Sequence, residues 1–299
     1  MLVPVLFKPR LLIVGCGDIG LRVAALARGR WRLRALTASP QRLDVLRAAG
    51  IRPLLGDLDD RRSLRRLRGL ARWVVMLAPP PAQGETDPRS RRLATLLRSS
   101  MIGAGAADSL RLVYASTSGV YGDRGGAVVR ESDPPTAQSP RARRRLDAEG
   151  HWRAFGRAGA RVAILRVPGI YDAEARSPRR RLVQGLPVPP GAEDPYTSHI
   201  HADDLARCIL FALMRGAPNR VYHASDDTRM RLGEYLDLAA RVYGLPPPPR
   251  LPLALAPGAG VSPLALSFLR ESRQLDNHRL RAELGVALRH ADVVHGLRG

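Results

Sequence analysis

Twelve residues at 139–150, "SPRARRRLDAEG", pose the chemical question of this chain. They offer Arg141, Arg144 and Arg145 at helical spacing, with neither tyrosine nor lysine. A guanidinium stays protonated in proteins, so these side chains can grip an anion with paired hydrogen bonds but cannot pass a proton near neutral pH. The groups that can take part in acid–base work lie elsewhere. Thr117 closes the apolar run "RLVYAST", Tyr121 follows four positions later, and His199 and His201 sit in "HIHADDLA". A threonine hydroxyl is too weak an acid to act alone; the Tyr121 phenol, the His199 or His201 imidazole and a relayed water are all open as proton carriers, and none stands out. Among the seven histidines there is no HExxH pair, and Cys16 and Cys208 lack metal-ligand spacing. No metal, no disulfide framework and a reducing, cytoplasmic setting are therefore expected.

A second constellation is "GCGDIG" at 15–20. Gly15, Gly17 and Gly20 fit the G-x-G-x-x-G spacing, directly after an apolar run and before an amphipathic one. Gly15 would permit the tight turn, Gly17 would bring bare backbone to a diphosphate, and Gly20 would allow close helix packing. Cys16, Asp18 and Ile19 complete the turn, whose helix N-terminus offers N–H donors and positive potential. An NAD-selective site carries an acid about 20 residues further on. Here "LTASPQR" at 36–42 has none before Asp44, whereas Thr37 and Ser39 can hydrogen-bond a phosphate and Arg42 or Arg34 can neutralise it. The expectation is NADP in preference to NAD.

These residues need a scaffold, and the rhythm of the chain supplies one. Short apolar runs alternate with amphipathic segments: strands at "RLLIVG", "WRLRALTA", "IRPLLGD", "WVVMLAP", "RLVYAST" and "RVAILRVPG". Ser39-Pro40, Asp87-Pro88 and Ser139-Pro140 each read as an N-cap followed by a first-turn proline. Asp59 or Asp60 should cap a helix over "RRSLRRLRGL". "HADDLARCILFALMRG" reads as a further helix, "RVYHAS" as a last strand and the tail from Thr228 as mainly helical. This is the α/β pattern of a Rossmann-type, doubly wound parallel sheet. We expect a dinucleotide-binding domain over 1–168, completed by 199–226, and a smaller, mainly helical substrate lobe from 169–198 and 227–299.

Composition narrows the function classes. The 299 residues carry a formal net charge of +21, yet Lys8 is the sole lysine, so the excess is arginine spread over every segment. Basic stretches such as "RRSLRRLRG" alternate with leucine and lack aromatics for base stacking, so specific nucleic-acid binding is not expected. No apolar run is long enough to span a bilayer, and Pro4, Lys8 and Pro9 interrupt the N-terminal one.

Four further motifs, "GDLDD" (56–60), "VVMLAPPP" (74–81), "VYASTSGVYGD" (113–123) and "HIHADDLA" (199–206), follow the glycine turn in order. Together they resemble the extended short-chain dehydrogenase/reductase family, the NAD(P)-dependent epimerase/dehydratases that act largely on nucleotide sugars. The likeness runs from about Arg10 to Asp227. It implies Asp57 at the adenine amino group with Leu58 beside it, Leu77, Ala78 and Pro79 lining the cofactor, and Thr117 at the substrate oxygen. It also implies Asp203 as an acid anchoring a loop near the substrate; a helix-start acid favoured by the dipole stays an open alternative for Asp203 and Asp204. The family's Tyr-x-x-x-Lys pair is missing. Aligned on Glu149, the two positions hold Arg141 and Arg145, of which Arg145 can still contact the nicotinamide ribose. The pattern is similar to atypical members that keep the fold without the tyrosine. The resemblance thus implies an atypical NAD(P)-dependent oxidoreductase or epimerase/dehydratase-like enzyme acting on an anionic small molecule. A nonenzymatic NADP-binding sensor and a full nucleotide-sugar epimerase are the alternatives, and a homodimer is admitted.

Overall fold

The computed structural model describes residues 8–98, 101 and 109–298, so the N-terminal apolar stretch discussed above lies mostly outside the described residues. Strands β1 (Arg10–Val14), β2 (Arg32–Thr37), β3 (Arg52–Leu55), β4 (Trp73–Met76) and β5 (Arg111–Thr117) occur in the first half. The two-residue β6 (Val128–Val129), then β7 (Arg161–Val167), β8 (Gly169–Tyr171), β9 (Tyr196–Thr197) and β10 (His199–His201) follow. The last are β11 (Arg220–His223), β12 (Met230–Arg231) and β13 (Gln274–Leu275). Seven of them form one parallel sheet in the order β11-β7-β5-β4-β1-β2-β3. Leu11, Leu12, Ile13 and Val14 are all fully buried, as uninterrupted apolar strands covered on both faces should be.

Helices α1 (Asp18–Ala27), α2 (Leu43–Ala48), α3 (Pro88–Arg98), α4 (Pro140–Arg157), α5 (Arg179–Val183) and α6 (Ala202–Arg215) precede a helical tail. That tail holds α7 (Leu232–Tyr243), α8 (Pro263–Leu269), α9 (His278–Leu284) and α10 (Val293–Gly296). Val23 of α1 and Ile209 of α6 pack on one sheet face with Leu11 and Ile13. Leu93 and Leu97 of α3, and Trp152 and Phe155 of α4, pack on the other with Leu12 and Val14. The architecture is therefore the expected doubly wound α/β sheet. Its strand order reverses between β4 and β1, which opens a crevice beyond their carboxyl ends where such folds bind ligands.

Local chemistry explains where the elements depart from expectation. The "RRSLRRLRGL" segment forms turns and one 3-10 turn at Arg65–Leu67 in place of a helix. Asp60 Oδ1 accepts from Arg62 N at 2.8 Å, and the Ser63 hydroxyl bonds the Asp57 and Asp60 carbonyls, satisfying locally the groups a helix would use. Leu64 and Leu67 stay buried all the same. Ser39 does not cap: its hydroxyl meets Gln41 Oε1 at 2.8 Å, and Pro40–Arg42 is a 3-10 turn before α2. Asp87 and Ser139 do cap, accepting from Arg89 N at 3.0 Å and Ala142 N at 3.3 Å.

The tail and the 169–198 stretch build a second core around Tyr171, Leu182, Tyr235, Leu236 and Val293. Leu280 and Leu284 of α9 leave that lobe and are buried with α1 and α6 against the large sheet. No helix among the described residues is long and apolar enough to cross a membrane.

Candidate functional site

At the end of β1 the chain turns through Gly15 at φ +86°, where an added Cβ would stand 2.4 Å from Ala78 N. Only a glycine lets β1 and the end of β4 close this tightly, and Ala78 N donates to Val14 O at 3.0 Å across the gap. A Cβ on Gly20 would meet Cys16 Sγ at 3.1 Å, so the helix packs on its own entry turn. At Gly17 the opposite holds. Nothing lies within 4 Å of an added Cβ, and the bare backbone faces open space. The first α1 hydrogen bond runs from Leu21 N to Gly17 O, so the amides of Asp18, Ile19 and Gly20 precede the helix ladder and carry its positive end. That cradle fits the diphosphate of a dinucleotide. Burial pushes the Cys16 thiol up to about 11 against the pull of Arg42, so the cradle gains no thiolate.

A cavity of about 400 Å³ lies on the β2 side of the turn, lined by Gly15, Cys16, Gly17, Thr37, Arg42, Asp57, Leu58, Leu77, Ala78 and Pro79. Arg42 reaches across it and donates to Cys16 O at 2.9 Å. Thr37 lines the cavity, but its Oγ1 already accepts from Ser39 N at 3.2 Å. Neither Ser39 nor Arg34 lines it, so of the residues suggested for a 2′-phosphate only Arg42 brings a cation to its wall, one with no carboxylate partner among the described residues. Asp57 lines the cavity and also closes a turn, its Oδ1 accepting from Asp59 N at 2.8 Å.

A cavity of about 220 Å³ continues on the other side of Gly17, lined by Asp18, Ile19, Gly20, Ser116, Arg145 and Arg176 among others. Asp18 would repel an anion here. Burial raises its carboxyl, and hydrogen bonds from Arg176 and Arg22 outweigh that, so it is held below the usual carboxylate range. Arg176 Nε meets Asp18 Oδ2 at 2.9 Å. Asp172 holds that loop in place, its Oδ1 accepting from Arg176 N at 2.8 Å and its Oδ2 meeting Arg22 Nη2 at 2.9 Å.

A third, larger cavity, about 820 Å³, has Thr117, Arg89, Arg141, Arg144, Arg145 and Arg273 in its wall. The three spaces share walls. Gly15, Gly17 and Leu77 border the first two, Arg145 the second and third, and Pro79 and Arg89 the first and third. The result is one cleft along the carboxyl edge of the sheet. Arg145 donates to Ala115 O at 2.9 Å, and Arg144 donates to Gly84 O at 2.6 Å. Arg141 stands with its guanidinium carbon 3.9 Å from the Phe268 ring centroid. Burial holds Arg141 below its usual pKa; Glu271 pulls the other way, and the neighbouring arginines add to the depression.

Tyr121, His199 and His201 do not reach this cleft, which corrects their reading as proton carriers. The Tyr121 ring is fully buried, and its hydroxyl lies 2.6 Å from both Arg166 Nη1 and His223 Nε2. Burial pushes that phenol up to about 12, with Arg166 pulling it back only in part. His223 Nδ1 sits 2.8 Å from Asp276 O, an acceptor, so Nδ1 carries the proton and Nε2 accepts from Tyr121. His199 is buried with its pKa brought down to about 3 by desolvation, its ring centroid 4.1 Å from that of Tyr235. His201 caps α6, Nδ1 accepting from Asp203 N at 3.2 Å.

Asp203 and Asp204 are also structural here. Asp203 pairs with Arg22 at 2.5 Å, and buried Asp204 accepts from the amides of Arg289 and His290. Ligand-type atoms of His201, Asp203 and His290 lie within 4.8 Å of one another. The two rings stack 3.7 Å apart, and Arg22 already holds the carboxylate.

Several residues of the cleft carry no motif. Arg176, Tyr196, Phe268, Glu271 and Arg273 all come from the lobe, and Glu149 lies in the arginine helix without pointing to the cleft. Glu149 holds Arg166 in a bidentate pair at 2.8 and 3.1 Å and accepts from Ser116 Oγ at 2.7 Å. Its apolar neighbours along α4 were a signal that this carboxylate is buried.

Comparison with known proteins agrees with this architecture. Residues 12–225 match the NAD dependent epimerase/dehydratase family. A 3-diazoavenalumate denitrifying reductase from Streptomyces sp is 29% identical over 237 residues, 73% of this chain and 73% of that protein. A 4-hydroxy-2-methyl-3-oxo-4-farnesyl-3,4-dihydroquinoline-1-oxide ketoreductase from Stigmatella aurantiaca is 28% identical over 77% of this chain and 72% of its own. A functionally unknown conserved protein from Silicibacter pomeroyi superposes with a TM-score of 0.79 at 29% identity, covering 97% of this chain and 96% of that one. With a matching fold, glycine cradle and cleft, the chain belongs to the NAD dependent epimerase/dehydratase family.

Proposed function

We propose that this protein is an NAD(P)-dependent oxidoreductase that handles a small anionic molecule in the 820 Å³ cavity. The observation that carries this reading is the adjacency of the two spaces: the cavity at the Gly17 cradle and the large cavity have Arg145 as a common wall. Bound along it, the nicotinamide cofactor supplies or accepts hydride. The protein's own residues do the rest. The α1 amides would hold the diphosphate, with Arg176 balancing the charge of Asp18 beside it; Asp57 and Leu58 would border the adenine end, and Arg145 would be available to a ribose hydroxyl. Thr117 borders the large cavity at the end of β5 and can hydrogen-bond a substrate oxygen. With Tyr121 withdrawn, Tyr196 and Glu271 are the groups of that wall able to pass a proton.

The two curated relatives named above are both reductases, which favours reduction of a small molecule over sugar epimerisation. The burial of Tyr121, His199 and His201 favours a second reading, a cofactor-binding sensor without turnover. Arg42 favours NADP. Titration of the protein with NADPH and NADH, followed by cofactor fluorescence, tests the common ground of both readings. NADPH should bind several-fold more tightly, and Gly17→Val should weaken either cofactor by about a hundredfold, because its side chain would fill the cradle. Absence of binding by the native protein would refute the proposal. Oxidation of the bound NADPH by a carbonyl substrate separates enzyme from sensor.

A further inference from the structure

We infer that the large cavity accepts an apolar monocarboxylate, aromatic by preference, whose carboxylate is held by Arg141. The inference rests on the reading of this cavity as the substrate chamber of a dinucleotide-binding protein. Five arginines line it, but four are committed. Arg89 pairs with Asp59 at 2.5 Å and donates to Pro79 O at 3.1 Å. Arg144 is taken by Gly84 O and Arg145 by Ala115 O. Arg273 pairs with Glu271 at 2.8 Å and donates to Gly122 O at 2.9 Å. Arg141 alone of the five has no hydrogen-bond partner for its guanidinium among the described residues, and it is partly buried.

A half-buried cation without a partner is costly, and an anion arriving beside it removes the cost. The geometry sets which anion. The Arg141 guanidinium carbon lies over the Phe268 ring, 3.9 Å from its centroid, and its N–H donors, without a hydrogen-bond partner among the described residues, can meet a flat carboxylate edge-on. Arg144 and Arg145, whose partners are neutral oxygens, add to the positive field around Arg141, and the Glu271 carboxylate lies close enough to act on it. Arg141 is the one guanidinium of this wall with no hydrogen-bond partner among the described residues, and a single fork of N–H donors fits a single carboxylate. Beside hydroxyl groups such as Thr117, Ser118 and Tyr196, the wall has a large apolar part: the proline run at 79–81 with Leu232, Phe268 and Leu275. Such a surface suits a ring or hydrocarbon body, and removal of that body from water adds to binding.

The test uses the native protein saturated with NADP⁺, after cofactor binding has been verified by fluorescence. Calorimetric titrations would compare 3-phenylpropanoate, its neutral counterpart 3-phenylpropanol, and UDP-glucose. The acid should bind at least tenfold more tightly than the alcohol, the range of a charge-assisted pair, and more tightly than UDP-glucose. Arg141→Leu should erase the preference for acid over alcohol while leaving the binding of cofactor and alcohol in place. Phe268→Ala should weaken acid and alcohol together. Equal affinity for acid and alcohol, a preference that survives Arg141→Leu, or tighter binding of UDP-glucose would each overturn the inference. A protein that binds cofactor but neither phenyl compound would overturn it too, with the dinucleotide reading intact. Failure to bind cofactor would instead remove the reading beneath it.

Discussion

Two arginines, Arg166 and Arg141, stand on either side of a boundary within one half of the molecule. Arg166 is 1% exposed and fully answered: Glu149 takes it bidentately and the Tyr121 hydroxyl receives a third N–H. Arg141 is partly buried, has no hydrogen-bond partner among the described residues, and meets only a phenyl ring and the field of Glu271. Charge and residue type are the same, so neither tells structure from function. What separates them is the account of partners. A closed network of Ser116, Glu149, Arg166, Tyr121 and His223 fixes the end of β5 against β7 and β11. The open cavity beside it leaves one cation waiting.

The comparison can be broken most severely at Glu149. Glu149→Ala strands the Arg166 charge inside the protein and should cost about 3–5 kcal/mol of stability, read from the midpoint of urea unfolding. Replacing Glu149 and Arg166 together by methionine should cost much less, because no unpaired charge remains. If the single variant were as stable as the native chain, the network would not be the closed unit described.

Acid should strike the same region next. Desolvation brings His223 down to about 4 and His199 to about 3, below the ordinary histidine value of 6.5. In the window from pH 6.5 down to 4 the unfolded chain takes up protons that the folded one refuses, so stability is present above the window and lost as pH falls through it. The loss should approach about 2 kcal/mol per histidine between pH 7.5 and pH 5. Unfolding midpoints at those two pH values measure it, and a flat profile would place both rings in contact with water.

The smallest change sharpens the contrast from the other side. Arg141→Leu removes an unpartnered cation and leaves its neighbours paired, so its stability should stay within about 0.5 kcal/mol of the native value. A cost near that of Glu149→Ala would mean that Arg141 has a structural partner and that the cavity is not built around it.

Much of this was legible before any coordinates, for a physical reason. The turn at residues 15–20 requires a positive φ at Gly15 and a bare backbone at Gly17, demands that only glycine meets and that lie within six neighbouring residues. Strand rhythm and the proline starts of α3 and α4 are equally local. The "RRSLRRLRGL" segment misled because Asp60 and Ser63 bond the backbone more locally than leucine spacing reveals. Tyr121 misled for the opposite reason. Its position four residues after Thr117 suggests an active-site phenol, but Arg166, on β7, and His223, on β11, draw it into the interior. Arg141 was marked as an anion grip by its type, while Phe268 and Glu271, more than a hundred residues along, carry no motif linking them to it.

The sequence by itself determined the parallel sheet, the glycine cradle and the absence of a Tyr-x-x-x-Lys pair, because each depends on residues close together in the chain. Tertiary structure alone decided which arginines are spent and which is free. A guanidinium's N–H groups are satisfied by the acceptors the fold brings within about 3 Å, and its charge only by carboxylates among them; here those partners arrive from distant strands and from the lobe.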